Sequence, residues 1–215
     1  MANNRLFEAS RIGDLNAVKS LIEQGADVHA YNDAALRSAA LCGHLPVVKF
    51  LVSEGADVHV DNDIALRWAA CRGYLPVVKF LVSKGADVHA NNDGALRWAS
   101  NHGHLPVVKF LVSKGANVRA NGDVALRLAD CWGHLSIVKF LIGVYIKHGL
   151  KIPRELQEFF QGVFKELRDA RIERSLKLKR GVIKLQRHIK ERMNRPGGFM
   201  YKKHKIDFDN LKKVI

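Results

Sequence analysis

Apolar and polar positions along this chain follow two nested periods. The shorter one is helical. In L-P-V-V-K-F-L-V-S at 45–53, Val48, Leu51 and Val52 stand at i, i+3 and i+4, the stripe that a helix buries. Upstream, an x-A-L-R-x-A segment sets small and apolar residues along one side of another helix. The longer period is 30 residues: Gly13, Gly43, Gly73, Gly103 and Gly133 share it, as do Asp33, Asp63, Asp93 and Asp123. The L-P-V-V-K-F-L-V-S run recurs unchanged at 75–83 and 105–113, and as L-S-I-V-K-F-L-I at 135–142.

Each unit therefore reads as two helices and a loop. The first helix begins after Asp33, Asp63, Asp93 or Asp123, whose carboxylate is expected to cap the free N–H groups of its first turn. It stops at the glycine. The second opens at Leu-Pro, with Pro46, Pro76 and Pro106 in the first turn, where a missing N–H costs nothing. A two-helix unit cannot bury its faces alone, so neighbours must stack, and the expected fold is an all-α solenoid of helical hairpins. The array is placed at 1–150, about five units with the first and last atypical, and a basic helical segment at 151–215.

The run from L-P-V-V-K-F-L-V-S into G-A-D-V-H resembles the second half of an ankyrin repeat. The first half departs from that family. Its units have about 33 residues and a T-P-L-H-x-A signature, where this chain reads A-A-L-R-S-A, I-A-L-R-W-A, G-A-L-R-W-A and V-A-L-R-L-A. The shortfall falls between G-A-D-V and A-L-R, so the family's β-hairpin finger should be stunted. The shortened unit resembles the ankyrin arrays of giant DNA viruses of the mimivirus type. The likeness covers roughly 4–143.

The resemblance implies a protein partner held on a concave side made of finger tips and first-helix ends. Carried over by position, the tips are Tyr31, Asp61, Asn91 and Asn121, and the helix ends are Leu41, Cys42, Cys71, Arg72, Asn101, His102, Cys131 and Trp132. These positions change between units while the frame around them repeats, which fits a constant scaffold with a variable face; drift at exposed positions is the alternative. Arg37, Arg67, Arg97 and Arg127 stand where the family usually has histidine. Each lies four residues after an aspartate, the spacing of a helical ion pair, so a structural ladder is expected rather than a phosphate-binding stripe. Trp68 and Trp98 are expected to fill the gap between units, and Trp132 to be exposed.

Two histidine ladders, His29, His59, His89 and His44, His104, His134, have rungs a full unit apart, about 8–10 Å by ordinary helix spacing. They cannot converge on a metal ion and are expected to hydrogen-bond loops. Cys71 and Cys131 are two units apart, too far for a disulfide, and the three cysteines are expected to be structural. No cofactor is implied. A glycine-rich phosphate loop, G-x-S-x-G, H-E-x-x-H and C-x-x-C are all missing from the sequence, and no enzyme is expected.

Composition changes this picture at one end. Hydrophobic residues are 47% and charged residues 26%, an ordinary soluble balance. No apolar stretch reaches the roughly 18 residues of a membrane span, the start lacks a secretory layout, and few cysteines suggest a reducing, intracellular setting, host cytoplasm or nucleus if viral. The net charge of +14 is uneven: residues 147–215 carry +12 and residues 1–146 only +2. Pro153 opens a helical stripe of Leu156, Phe159, Phe160, Val163, Phe164 and Leu167, expected to cap the last unit. Arg171, Arg174, Lys177, Lys179, Arg180, Lys184, Arg187, Lys190 and Arg192 follow, a cationic segment able to bind nucleic acid or an anionic surface, or simply to keep the chain soluble. I-P-R-E-L-Q-E-F-F at 152–160 is similar to the opening of an F-box, which would imply an adaptor for ubiquitin-ligase machinery. The expected function is a monomeric, non-enzymatic module that binds a protein partner, with nucleic-acid binding through the basic segment as the alternative.

Overall fold

The computed structural model describes residues 2–151, and within them the chain forms ten helices and no strand. They pair as α1 (Ala2–Ile12) with α2 (Leu15–Glu23), α3 (Ala30–Cys42) with α4 (Leu45–Ser53), α5 (Val60–Arg72) with α6 (Leu75–Ser83), α7 (Ala90–Asn101) with α8 (Leu105–Ser113), and α9 (Ala120–Cys131) with α10 (Leu135–His148). The result is an all-α solenoid of stacked hairpins. The Leu156–Leu167 stripe, the basic residues 171–192 and the I-P-R-E-L-Q-E-F-F segment lie outside the described residues.

Side-chain size decides how the two layers pack. First helices carry alanine at the contact positions, Ala35, Ala39 and Ala40 in α3 and Ala65, Ala69 and Ala70 in α5, all at most 3% exposed. Alanine lets backbones approach, and the first helices lie against one another far more closely than the second helices do. Tighter spacing in one layer bends the stack toward that layer. The hairpins close over Leu36, Val47, Val48 and Leu51 and their repeats in the following units, all fully buried. The buried stripe of the second helix thus includes Val47, whereas Val52, expected inside, is only half-buried at its edge.

Pro46, Pro76 and Pro106 sit in the first turn of their helices as their fixed φ predicts. The glycine between helices has a second constraint besides its left-handed backbone. At Gly73 (φ +78°) a Cβ would lie 2.5 Å from His104 Nδ1 of the next unit. Gly13, Gly43 and Gly103 meet the rings of His44, Tyr74 and His134 in the same way.

The loop between units contains the main departure from expectation. In place of a β-hairpin, three consecutive residues turn left-handed in each of four units: Tyr31-Asn32-Asp33, Asp61-Asn62-Asp63, Asn91-Asn92-Asp93 and Asn121-Gly122-Asp123, with φ between 50° and 71°. Asn, Asp and Gly tolerate this region best, which accounts for their dominance there. A left-handed aspartate cannot act as an N-cap, because that position needs extended backbone. The capping expected of Asp33, Asp63, Asp93 and Asp123 is therefore corrected. Asp14 (φ −76°, ψ 90°) does have the right geometry and accepts from Ala17 N–H at 2.9 Å.

The repeated aspartates instead join units. Asp33 Oδ1 accepts the backbone N–H of Asp57 at 3.1 Å, Asp63 that of Asp87 at 3.0 Å, and Asp93 that of Asn117 at 2.7 Å. The same oxygens accept from His29, His59 and His89 Nδ1 at 3.1 Å. The ladder has dedicated ends. Asn3, thirty residues before Asp33, accepts from Asp27 N–H at 3.0 Å. At the other end α10 runs on where the earlier units have their loop, and the fully buried Tyr145 donates its hydroxyl to Asp123 Oδ1. Burial and that carboxylate push the Tyr145 phenol well above its ordinary pKa, so it stays a donor.

Removing one carboxylate breaks two part-buried hydrogen bonds to a charged group, from the next loop's N–H and from the histidine, which costs about 1.5–3 kcal/mol. Asp63→Ala should therefore lower the urea midpoint by that equivalent. Asp63→Asn keeps an oxygen in place, as Asn3 does naturally, and should cost under about 1 kcal/mol on the same measurement.

Candidate functional site

The outer side of the first helices is the face that neither layer covers. It is built from every third or fourth residue: Arg37 and Leu41 in α3, Ile64, Arg67, Trp68 and Cys71 in α5, Arg97, Trp98 and Asn101 in α7, and Val124, Arg127, Leu128 and Cys131 in α9. All are half-buried or exposed. The i, i+3, i+4, i+7 spacing through 34, 37, 38 and 41 is the sequence signal for this stripe. It takes in Ile64, Val124 and Leu128, which lie at neither the loop tips nor the helix ends.

The residues expected to form the partner surface fall into two groups on this face. Tyr31, Asp61, Asn91 and Asn121 occupy the left-handed turns and are exposed, Tyr31 at 64%. Leu41, Cys42, Cys71, Arg72, Asn101, His102, Cys131 and Trp132 lie at the opposite ends of the same helices, about 12 Å away along the axis. Arg72, His102, Cys131 and Trp132 are exposed and the other four half-buried. The two groups are joined by the arginine and tryptophan columns.

Those columns differ from expectation. The arginines do not pair with the aspartates four residues before them, because a left-handed aspartate stands outside the helix to which the i, i+4 rule applies. Arg67 donates from Nε to Asn62 O at 3.1 Å and from Nη2 to Asp61 O at 2.8 Å, and Arg97 does the same to Asn92 O and Asn91 O. These bonds cover the carbonyls that the left-handed turn leaves without intrahelical partners. Arg37 donates to Tyr31 O at 2.7 Å and also reaches Asp61 of the next unit at 3.2 Å. Arg127 is exposed.

Trp98, expected between units, is 45% exposed and stacks on His102, ring centroids 5.9 Å apart. Position 98 lies on the outer stripe, so its ring has no gap to enter. Trp68 is half-buried, with the Arg37 guanidinium 6.0 Å from its ring. Trp132 is 63% exposed.

One cluster on this face gathers polar groups. Cys71 Sγ lies 3.7 Å from His102 Nδ1, which is 3.0 Å from Trp98 O. The His102 ring stacks on His104 at 6.4 Å, and His104 Nε2 donates to Cys71 O at 2.9 Å. His44 and His134 make the same bond to Arg11 O and Asn101 O, so this ladder joins units as the aspartates do. Burial pushes the Cys71 thiol up, which keeps it protonated near neutrality and a poor nucleophile. Burial also pushes His104 down, against the pull of its carbonyl partner. The cysteines Cys42, Cys71 and Cys131 are free, and among the described residues no three His, Cys, Asp or Glu side chains could hold a metal ion. No described helix is long and apolar enough to cross a membrane.

A family model described as ankyrin repeats (3 copies) matches residues 6–92 and again 66–152. No curated protein matches the chain.

The His104 shift sets a pH dependence. Its folded pKa lies below the unfolded value near 6.5, so the stability it contributes is complete above about 6.5 and is lost as pH falls through the folded pKa. Urea midpoints measured at pH 7.5 and 5.5 should show a drop. In His104→Tyr, which copies Tyr74 of the preceding unit, the drop should be smaller.

Proposed function

The chain belongs to the ankyrin-repeat family, whose arrays are in general protein–protein interaction modules, and we propose that this one grips a protein partner on its first-helix face. The observation that carries the reading is a contrast between columns. Buried positions repeat, Leu36, Leu66, Leu96 and Leu126 being one leucine per unit. Outer positions change type: Leu41, Cys71, Asn101, Cys131 in one column and Trp68, Trp98, Leu128 in another, whose first place holds the buried Ser38. Exposed aromatic surface beside arginine is the composition in which interface energy concentrates. The tips Tyr31, Asp61, Asn91 and Asn121 and the helix ends from Leu41 to Trp132 form its two rims. Binding through shape and side-chain complementarity involves no chemistry, and no catalytic role is assigned to any residue. The 30-residue unit supports kinship with the giant-virus arrays, and the sparse free cysteines support a reducing compartment.

A second reading has one observation in its favour, the +12 charge of residues 147–215. It makes that segment a binder of nucleic acid, with the array as scaffold. The two differ in salt response, since phosphate-driven binding weakens steeply with ionic strength.

A partner captured by the full chain should bind Trp98→Ala at least tenfold more weakly, because a central aromatic anchor is worth upward of about 1.4 kcal/mol. Lys49→Ala, on the exposed side of α4, should leave the affinity unchanged. Titrations at 50 and 200 mM salt complete the test. Equal affinity of both variants with a fall of a hundredfold or more in salt would replace the first reading by the second.

A further inference from the structure

We infer that the segment recognised on this face is acidic, with two carboxylates about three residues apart that fill the places beside Arg67 and Arg97. The inference rests on the reading of the first-helix face as a protein-binding surface and specifies the chemistry of its partner.

Arg37 shows what the column does when complete. Its Nη2 holds the Tyr31 carbonyl of its own unit, and its Nη1 meets Asp61 Oδ2 of the next unit at 3.2 Å. Arg67 and Arg97 repeat only the first half. Each is anchored through Nε and Nη2 to two carbonyls of its left-handed turn, which fixes the guanidinium plane and leaves Nη1 pointing away from those bonds. Thirty residues after Asp61, the places that would supply the carboxylate hold Asn91 and Asn121. Among the described residues neither Arg67 nor Arg97 has an ion pair. Two neighbouring, pre-oriented cations thus lack the anion that the first member of their column has.

Electrostatics agrees with the geometry. The Arg67 guanidinium is held below its ordinary pKa first by burial and next by the charge of Arg97, with Asp61 and then Asp63 pulling the other way. An anion placed between the two arginines relieves that repulsion. A fixed guanidinium fork suits a carboxylate and loses little side-chain freedom on binding it.

Spacing and surroundings define the segment further. Adjacent first helices lie about 8–10 Å apart, and an extended chain advances about 10 Å in three residues. Trp68 and Trp98 follow the two arginines directly in sequence and add half-buried or exposed apolar surface to the same face. The fit is an extended acidic-x-x-acidic segment with an apolar residue inside it. A nucleic acid fits this face less well. Polyanion binding needs many neutralised phosphates, whereas residues 1–146 carry a net charge of only +2.

The test is selection of a random dodecapeptide library, displayed on phage, against the full chain, followed by titration of the selected peptides. Recovered peptides should be enriched in Asp or Glu at i and i+3. Their affinity should fall at least tenfold on Asn91→Asp/Asn121→Asp, which supplies the missing carboxylates from within, as Asp61 already does. Asp61→Asn, which frees Arg37, should tighten them. Circular dichroism melts identify variants that remain folded, and Arg67→Lys/Arg97→Lys serves as a second pair that keeps charge without the fork, with intermediate affinity expected. Acidic peptides that bind the Asn→Asp variant as tightly as wild type owe their capture to the basic residues 147–215, and that result overturns the inference. Peptides without acidic enrichment that still depend on Trp98 overturn it while leaving the face as a protein-binding surface. Peptides indifferent to Trp98→Ala and to both pairs remove the face reading as well.

Discussion

A single hydrogen bond, repeated once per unit, fixes this array: an Asn or Asp side-chain oxygen at the start of one first helix accepts the backbone N–H of the next loop. It runs Asn3 to Asp27, Asp33 to Asp57, Asp63 to Asp87, Asp93 to Asn117, and ends on Tyr145. The four aspartates are at most 5% exposed, so a carboxylate that lost its donors would be costly. Hydrophobic burial alone sets no register between stacked hairpins of nearly identical sequence. A directional bond does. The left-handed turn follows from the same requirement, since it aims the carboxylate out of its own helix and toward the next unit.

The histidine and glycine columns add a second register at the other end of the first helices. His104 over Gly73 and His134 over Gly103 place a ring against a backbone that can carry no Cβ, while Nε2 reaches a carbonyl of the preceding unit. With both ends pinned, the outer side of the first helices can vary at little cost in stability. Variable positions are thus separated from folding residues by helical phase: Leu36 and Ala39 and their repeats face inward, and position 41 with its repeats does not have to agree. The arginine column belongs partly to each group, closing turn carbonyls with one edge and presenting the other.

The architecture was legible from the chain because each signal for it is local or periodic. Glycine and proline punctuate the helices, the apolar stripes give their buried sides, and the short unit excludes a full finger. Even Asn3 follows from counting thirty residues back from Asp33. The candidate face was legible only in outline. Exposed positions carry no burial pattern, so the tips and helix ends could be placed by likeness to ankyrin repeats, whereas the place of Trp98 two residues past a core leucine points inward and misleads.

What the sequence determined by itself is the repeat, its helical hairpins and their all-α stacking, since these depend on spacing and on residues whose backbone preference holds in any context. Tertiary structure decided which groups meet. Asp33 was four residues from Arg37 and from His29 alike, and only the left-handed turn, which takes the aspartate out of the helix, chose the histidine and the Asp57 amide over the arginine. Tyr145 keeps no thirty-residue register, so its closure of the ladder depends on α10 running on past the helix length of the earlier units. Pairings of this kind are set by where a backbone turn directs a side chain across a gap between units, and that direction is a property of the assembled stack.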